Sequence, residues 1–171
     1  MIWLIVISIL IIAAYTTAVC VKQKGVPYSI SATFYAIEHK GWFRFTMWAC
    51  PMVLMPAILE VSKPGTEFLA YLALAGMIVV GCFPDYKADK IQHRGHIAGA
   101  MMAILFSQTW AALNFWPMLL AWLPYVSYTA LNMAKQEEGT FKDKYIETKP
   151  MFWIEIFSFG VIYLICLMLR I

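Results

Sequence analysis

Residues 1–20, MIWLIVISILIIAAYTTAVC, contain no charged side chain. A bilayer core is crossed by a helix of about 20 mostly apolar residues, with a usable range of roughly 17–25. This stretch meets that length. A cleaved signal peptide needs a basic region ahead of the apolar run, and none precedes Ile2. Val19, directly before Cys20, is the wrong residue for a lipoprotein cleavage site. An uncleaved first membrane helix is therefore expected.

Five further stretches follow the same pattern. They cover residues 42–59, with Pro51 and Pro56 inside and Arg44 at the edge, then 67–83, 95–113, 115–133 and 152–169. A kink is expected near Pro124 in the fifth. Six spans leave only short connectors among 171 residues, so the reading is one all-α domain, residues 1–171, folded as a polytopic transmembrane helical bundle. Composition agrees: 62% of residues are apolar and 13% charged, against about 25% charged in an average soluble domain. A soluble enzyme, a disordered tail and a disulfide scaffold are excluded. A net charge of +3, scattered along the chain, excludes nucleic acid as a partner.

Orientation follows from the basic residues. Lys22, Lys24, Lys40 and Arg44 flank the first connector, Lys87, Lys90 and Arg94 the third, and Lys135, Lys142, Lys144 and Lys149 lie in the fifth. Only Lys63 and Arg170 remain for the other side. The positive-inside rule then puts these three connectors in the cytoplasm and both termini outside. A multi-pass protein of the cell membrane is expected, with a prokaryotic inner membrane as the setting.

Trp3, Trp42, Trp48, Trp110, Trp116, Trp122 and Trp153 mostly fall near span ends, as interface anchors do. Cys20, Cys50, Cys82 and Cys166 form no C-x-x-C pair and read as small packing residues. Gly95 and Gly99, with Ala98, Ala100 and Ala103, offer a small-residue face for close helix packing. In the first connector, Ser29 or Ser31 can cap a short helix over residues 32–39. That helix is either a simple link or a cover over a cavity at the cytoplasmic side.

Ionisable groups at membrane depth are costly, and each is a functional candidate. Glu155, about one turn beyond Pro150, is the clearest; snorkelling to the interface is its plainer role. The second candidate is the run Pro84-Asp85-Tyr86-Lys87-Ala88-Asp89-Lys90-Ile91-Gln92-His93-Arg94-Gly95-His96. Started as a helix at Pro84, it puts Asp85, Asp89, His93 and His96 within an arc of roughly 80°. Two carboxylates and two imidazoles on one face suit zinc or a general acid–base pair, with Asp89, His93 and His96 as ligands and Asp85, Asp89 and Glu155 as catalytic groups. The alternative is a solvated turn whose histidines bond backbone or headgroups. No G-x-S-x-G elbow, P-loop or H-E-x-x-H motif occurs. Ser127, Thr129 and Asn132 make only a short polar stripe in the fifth span.

Tyr28-Ser29-Ile30-Ser31, the run Gly76-Met77-Ile78-Val79-Val80-Gly81-Cys82-Phe83-Pro84-Asp85, and His96 with Gly99-Ala100 resemble a prokaryotic family of small six-helix membrane proteins. That family is similar in turn to the CREST superfamily of alkaline ceramidases and adiponectin-type receptors. The likeness covers about residues 1–130 and implies a compact helical bundle. The superfamily's hydrolases hold zinc with Ser, Asp and three His; Ser29 or Ser31, His39 and Asp85 match that set loosely. The sequence departs at the last helix, where the superfamily has paired His and this chain has only Glu155.

Three readings of function result. The first is an integral membrane protein that binds lipid or a protein partner through its cytoplasmic face. The second is a metal-dependent, lipid-directed hydrolase, and the third a homo-oligomeric pore or transporter subunit. The orientation has a direct test in intact cells. A cysteine replacing Gly139 is shielded from an impermeant thiol reagent added outside, whereas one replacing Pro64 is labelled; the reverse pattern inverts the topology.

Overall fold

The computed structural model describes residues 1–170. Seven α-helices follow one another: α1 (Ile2–Gln23), α2 (Gly41–Val61), α3 (Glu67–Cys82), α4 (Lys90–Phe115), α5 (Trp122–Ala134), α6 (Phe141–Glu147) and α7 (Pro150–Met168). Two 3₁₀ segments, Ser31–Tyr35 and Trp116–Ala121, complete the set, and no strand occurs among the described residues. The all-α class expected from composition is what forms.

Length and apolarity allow four helical runs to cross a membrane: α1, α2, the run of residues 90–134 and α7. Helix α3, at 16 residues, is about 24 Å long and shorter than the hydrocarbon core. The 90–134 run is not one rod. Trp122 Nε1 donates to Gln108 Oε1 at 3.0 Å, which brings the start of α5 back beside the middle of α4. Farther along, Trp122 and Tyr125 stack on Phe157, and Tyr128 on Trp153, so α5 runs antiparallel to α7. The break lies at Phe115, whose φ of −154° and ψ of 73° leave the helical region, followed by Pro117 in the 3₁₀ segment. A kink near Pro124 was the expectation; Pro124 instead sits in the first turn of α5, where its missing N–H costs nothing. The return leg is a 6-residue 3₁₀ segment followed by the 13 residues of α5, together about 32 Å.

Helices α3 and α4 have the most extensive contact in the bundle, because two glycines let their backbones touch. A Cβ on Gly76 would lie 2.4 Å from Ala103 N and 2.6 Å from Gly99 O; one on Gly99 would lie 2.8 Å from Gly76 O. One turn earlier on α4, Gly95 receives the Phe83 ring in the same way. The small-residue face of Gly95 and Gly99 thus packs closely, as its composition suggests.

Helix α1 covers α2 and part of α7. Where the three meet, Ser8 Oγ donates to Cys50 O at 2.9 Å and lies 2.7 Å from Tyr163 Oη, while Cys50 Sγ is 3.0 Å from the same hydroxyl. At the end of the bundle nearer the C-terminus of α4, the 62–66 turn is fastened to that helix. Trp110 Nε1 donates to Ser62 Oγ at 2.8 Å, and Asn114 Oδ1 accepts from Lys63 N at 2.6 Å. Trp110 is fully buried, so it anchors this turn rather than an interface; Trp3, Trp42 and Trp116 are the strongly exposed indoles.

Substituting Gly76→Ala forces a Cβ into backbone and lowers stability by about 1–3 kcal/mol. Gly160→Ala meets nothing within 4 Å and raises helix propensity by roughly 1 kcal/mol. Thermal unfolding in detergent therefore shifts in opposite directions for the two variants.

Candidate functional site

The connector after α1 closes one end of the bundle. Lys24, in the left-handed conformation at φ 54°, ends α1 and turns the chain back. Ser29 Oγ accepts from Ala32 N at 2.9 Å, but Ile30 is the N-cap, and one 3₁₀ turn of residues 31–35 forms in place of the expected helix over 32–39. Phe34 packs edge-on to Tyr35 and Phe43, and Ile30 and Phe34 are both 3% exposed.

Three hydrogen bonds fasten this connector to the start of α7. The first N–H groups of a helix have no partner within it; Pro150 carries none, and that of Phe152 donates to Tyr28 O at 3.1 Å. The Glu155 carboxylate accepts from Ile30 N, and from Ser31 Oγ at 3.3 Å. Glu155 is thus not snorkelling away from the bundle. It is turned inward and holds the connector in place.

Behind it lies a narrow apolar cleft bounded by α2, α3, α4 and α7, with a cavity volume of about 80 Å³. Ile30, Ser31 and Glu155 form one end, realising the cover that the connector's sequence suggests. From there the walls run along α2 from Met47 to Ile58, roughly 16 Å of helix. Ala73, Ala100 and Ala103 keep the space open by being small. The Tyr163 ring lines the deep part, while its hydroxyl is used by Ser8 and Cys50.

One polar atom in the lining has no partner. Ser158, one helical turn beyond Glu155, is 6% exposed, and its Oγ is buried without a hydrogen bond. Its neighbours are engaged: Ser107 Oγ donates to Ile104 O at 3.0 Å, and Gln108 Nε2 reaches Ser158 O at 3.4 Å. A buried hydroxyl normally finds a partner; this one has none.

The aspartates and histidines do not form the expected cluster. Residues 83–89 are a turn, not the first turns of a helix, and α4 begins only at Lys90. The helical arc drawn from Pro84 therefore does not exist. Asp89 is the N-cap of α4, and its Oδ1 accepts from Ile91 N and Gln92 N at 2.7 and 2.8 Å. Asp85 Oδ1 accepts from Tyr35 Oη at 3.0 Å. His96 is 4% exposed and its Nδ1 donates to Phe83 O at 2.8 Å, with Tyr86 tilted over the ring. His93 is exposed. Among the described residues, no three His, Cys, Asp or Glu side chains converge in a way that could hold a metal ion. Asp89, His93 and His96 do not fit zinc, because the first is spent on a cap and the last on a carbonyl. Glu155 lies against the connector backbone, apart from these ligands.

These residues instead brace the basic end of the bundle. The Tyr35 hydroxyl donates to Asp85 and accepts from Lys87 N at 2.8 Å, and its ring meets Tyr86 edge-on at 5.2 Å. Burial, with the neighbouring Asp85 carboxylate, pushes the Tyr35 phenol up to about 12.

Comparison with protein-family models, with curated proteins and with solved structures gives no match.

An unfolded tyrosine ionises near 10, so the folded state holds the Tyr35 proton over a further interval. Stability from this group is complete below about pH 10 and falls as the pH rises toward 12. Tyr35→Phe removes that part of the alkaline decline, read as the difference in melting temperature between pH 9 and pH 11.5, and lowers stability at pH 8 by about 1 kcal/mol.

Proposed function

We propose that the chain is an integral membrane protein that takes a single apolar chain of a lipid-like molecule into the cleft between α2, α3, α4 and α7. The observation that carries this reading is the cleft itself: a long apolar lining, closed at one end by Ile30, Ser31 and Glu155. Ligand pockets of this kind are mostly apolar and hold few, well-placed polar groups. A solvated void of this composition would be unfavourable, whereas an aliphatic chain would gain about 25 cal/mol per Å² of surface removed from water.

The outer surface supports the membrane setting. Only 28% of the most apolar window of α1 is buried within the bundle, and Trp3, Leu10, Val21, Met52 and Leu131 are each at least 60% exposed. Apolar surface on this scale marks contact with lipid or with a partner. We read the bundle as six crossings: α1, α2, α3, α4, the 3₁₀–α5 leg, and α7. The tyrosine bridge and the bond from Phe152 to Tyr28 bring residues 24–40, 83–89 and the start of α7 to one end. Most basic residues lie in those connectors and in 135–149, so this end is assigned to the cytoplasm with both termini opposite. The cleft's closed end then lies at cytoplasmic depth. The resemblance to CREST proteins accords with a helical bundle; the hydrolase chemistry has no ligand set here to support it.

Filling the cleft tests the reading. In lipid nanodiscs the parent protein binds a fluorescent fatty alcohol saturably, and Ala100→Phe weakens that binding at least about tenfold (1.4 kcal/mol). Ala98→Phe, on the exposed side of the same helix, leaves it unchanged. Equal binding by all three proteins overturns the assignment.

A further inference from the structure

The chemistry of the cleft's closed end selects among apolar ligands. Glu155 is the sole ionisable carboxylate in the lining, and the lining contains no Lys, Arg or His. Among the described residues the ion pairs are Lys22–Glu38 and Arg170–Glu60, and neither reaches it. A carboxylate offers about four acceptor positions on two oxygens. Ile30 N and Ser31 Oγ occupy two of them, which leaves acceptor capacity on a buried carboxyl group with no protein counter-charge in the lining. A charge turned away from water is costly unless paired. One turn deeper on the same face of α7, the buried Ser158 hydroxyl also lacks a partner.

We infer that the cleft binds a lipophilic cation, an apolar body carrying one ammonium group, with the ammonium at Glu155 and Ser158 and the apolar body along α2 toward Ile58. This rests on the cleft being a ligand site, as proposed above. An ammonium is a compact cation with several donors and no acceptor; it meets both unfilled requirements, charge at the glutamate and a hydrogen-bond partner at the serine. A fatty acid would bring a second negative charge against Glu155. A phospholipid bearing an amine would bring a phosphate, and no cation in the lining is there to receive it. The class is therefore a phosphate-free amine.

The test uses tail-matched probes with the full-length protein in nanodiscs of zwitterionic lipid: dodecylammonium, dodecanol, dodecanoate and a lysophosphatidylethanolamine of the same chain length. The parent is expected to bind dodecylammonium roughly tenfold or more tighter than dodecanol (1.4 kcal/mol), with the other two weaker still. In Glu155→Gln, the preference for dodecylammonium over dodecanol falls to about threefold or less, roughly 0.6 kcal/mol remaining. Ser31→Ala, which removes a bond to the connector but keeps the charge, retains the preference. Several outcomes overturn the inference while leaving the cleft reading intact: dodecanol or the phospholipid binding as well as the amine, or Glu155→Gln losing dodecanol as well, which would make the glutamate purely a fastening for the connector. Saturable binding of none of the four probes defeats the cleft reading itself.

Discussion

The backbone contact between Gly76 and Gly99 sets the geometry on which the rest of the bundle depends. In lipid, helices gain little from hiding apolar side chains, since the solvent is equally apolar, and association rests on close packing. Here the gap between α3 and α4 is too small for any side chain, with Gly76 facing Ala103 N and Gly99 O directly. Bringing these two helices together places Ala73 on one and Ala100 and Ala103 on the other beside the same space. Helices α2 and α7 carry larger side chains and stand farther off. The cleft is the result of that asymmetry: one tight seam, and one side where the packing does not close.

Polar groups then decide which ends are held. At the end nearer the α4 C-terminus, Ser62, Lys63 and Thr66 are tied to Trp110 and Asn114. At the basic end, Tyr35 joins the first connector to the 83–89 turn, and Glu155 with Phe152 N joins it to α7. Both sets use backbone N–H or C=O groups that helix ends leave unsatisfied. They therefore stabilise the connectors with bonds that also satisfy helix ends.

Much of this was legible in the sequence, and what was not has identifiable causes. The helices α1, α2 and α7 follow directly from long apolar runs, which few other structures tolerate. Gly95 and Gly99 mark a close-packed face, although the partners, Phe83 for Gly95 and Gly76 for Gly99, emerge only once the helices are paired. Residues 115–133 read as one helix, whereas the structure makes them a 3₁₀ segment and then α5, because Pro117 and the 3₁₀ turns around it carry the same apolar residues as a helix would. The 84–96 run misled for a definite reason. Pro84 and Asp89 are both residues that begin helices, and the spacing of Asp85, Asp89, His93 and His96 is attractive only if the first of them is chosen. Asp89 as the cap spends its carboxylate and moves Asp85 off the helix.

Glu155 was singled out by cost alone, and cost does not reveal what a charge is for. Its donors, Ile30 N and Ser31 Oγ, lie more than 120 positions away in the chain, and backbone N–H groups leave no mark in composition. Ser158 drew no notice either, since a lone serine in an apolar helix most often bonds its own backbone. What separates it from Thr109, which donates to Leu105 O at 2.8 Å on the outer side of α4, is that its hydroxyl does not bond back. Thr109 satisfies its hydroxyl locally. Ser158, placed one turn from the buried Glu155 carboxyl in the lining of a cleft, has no such local bond.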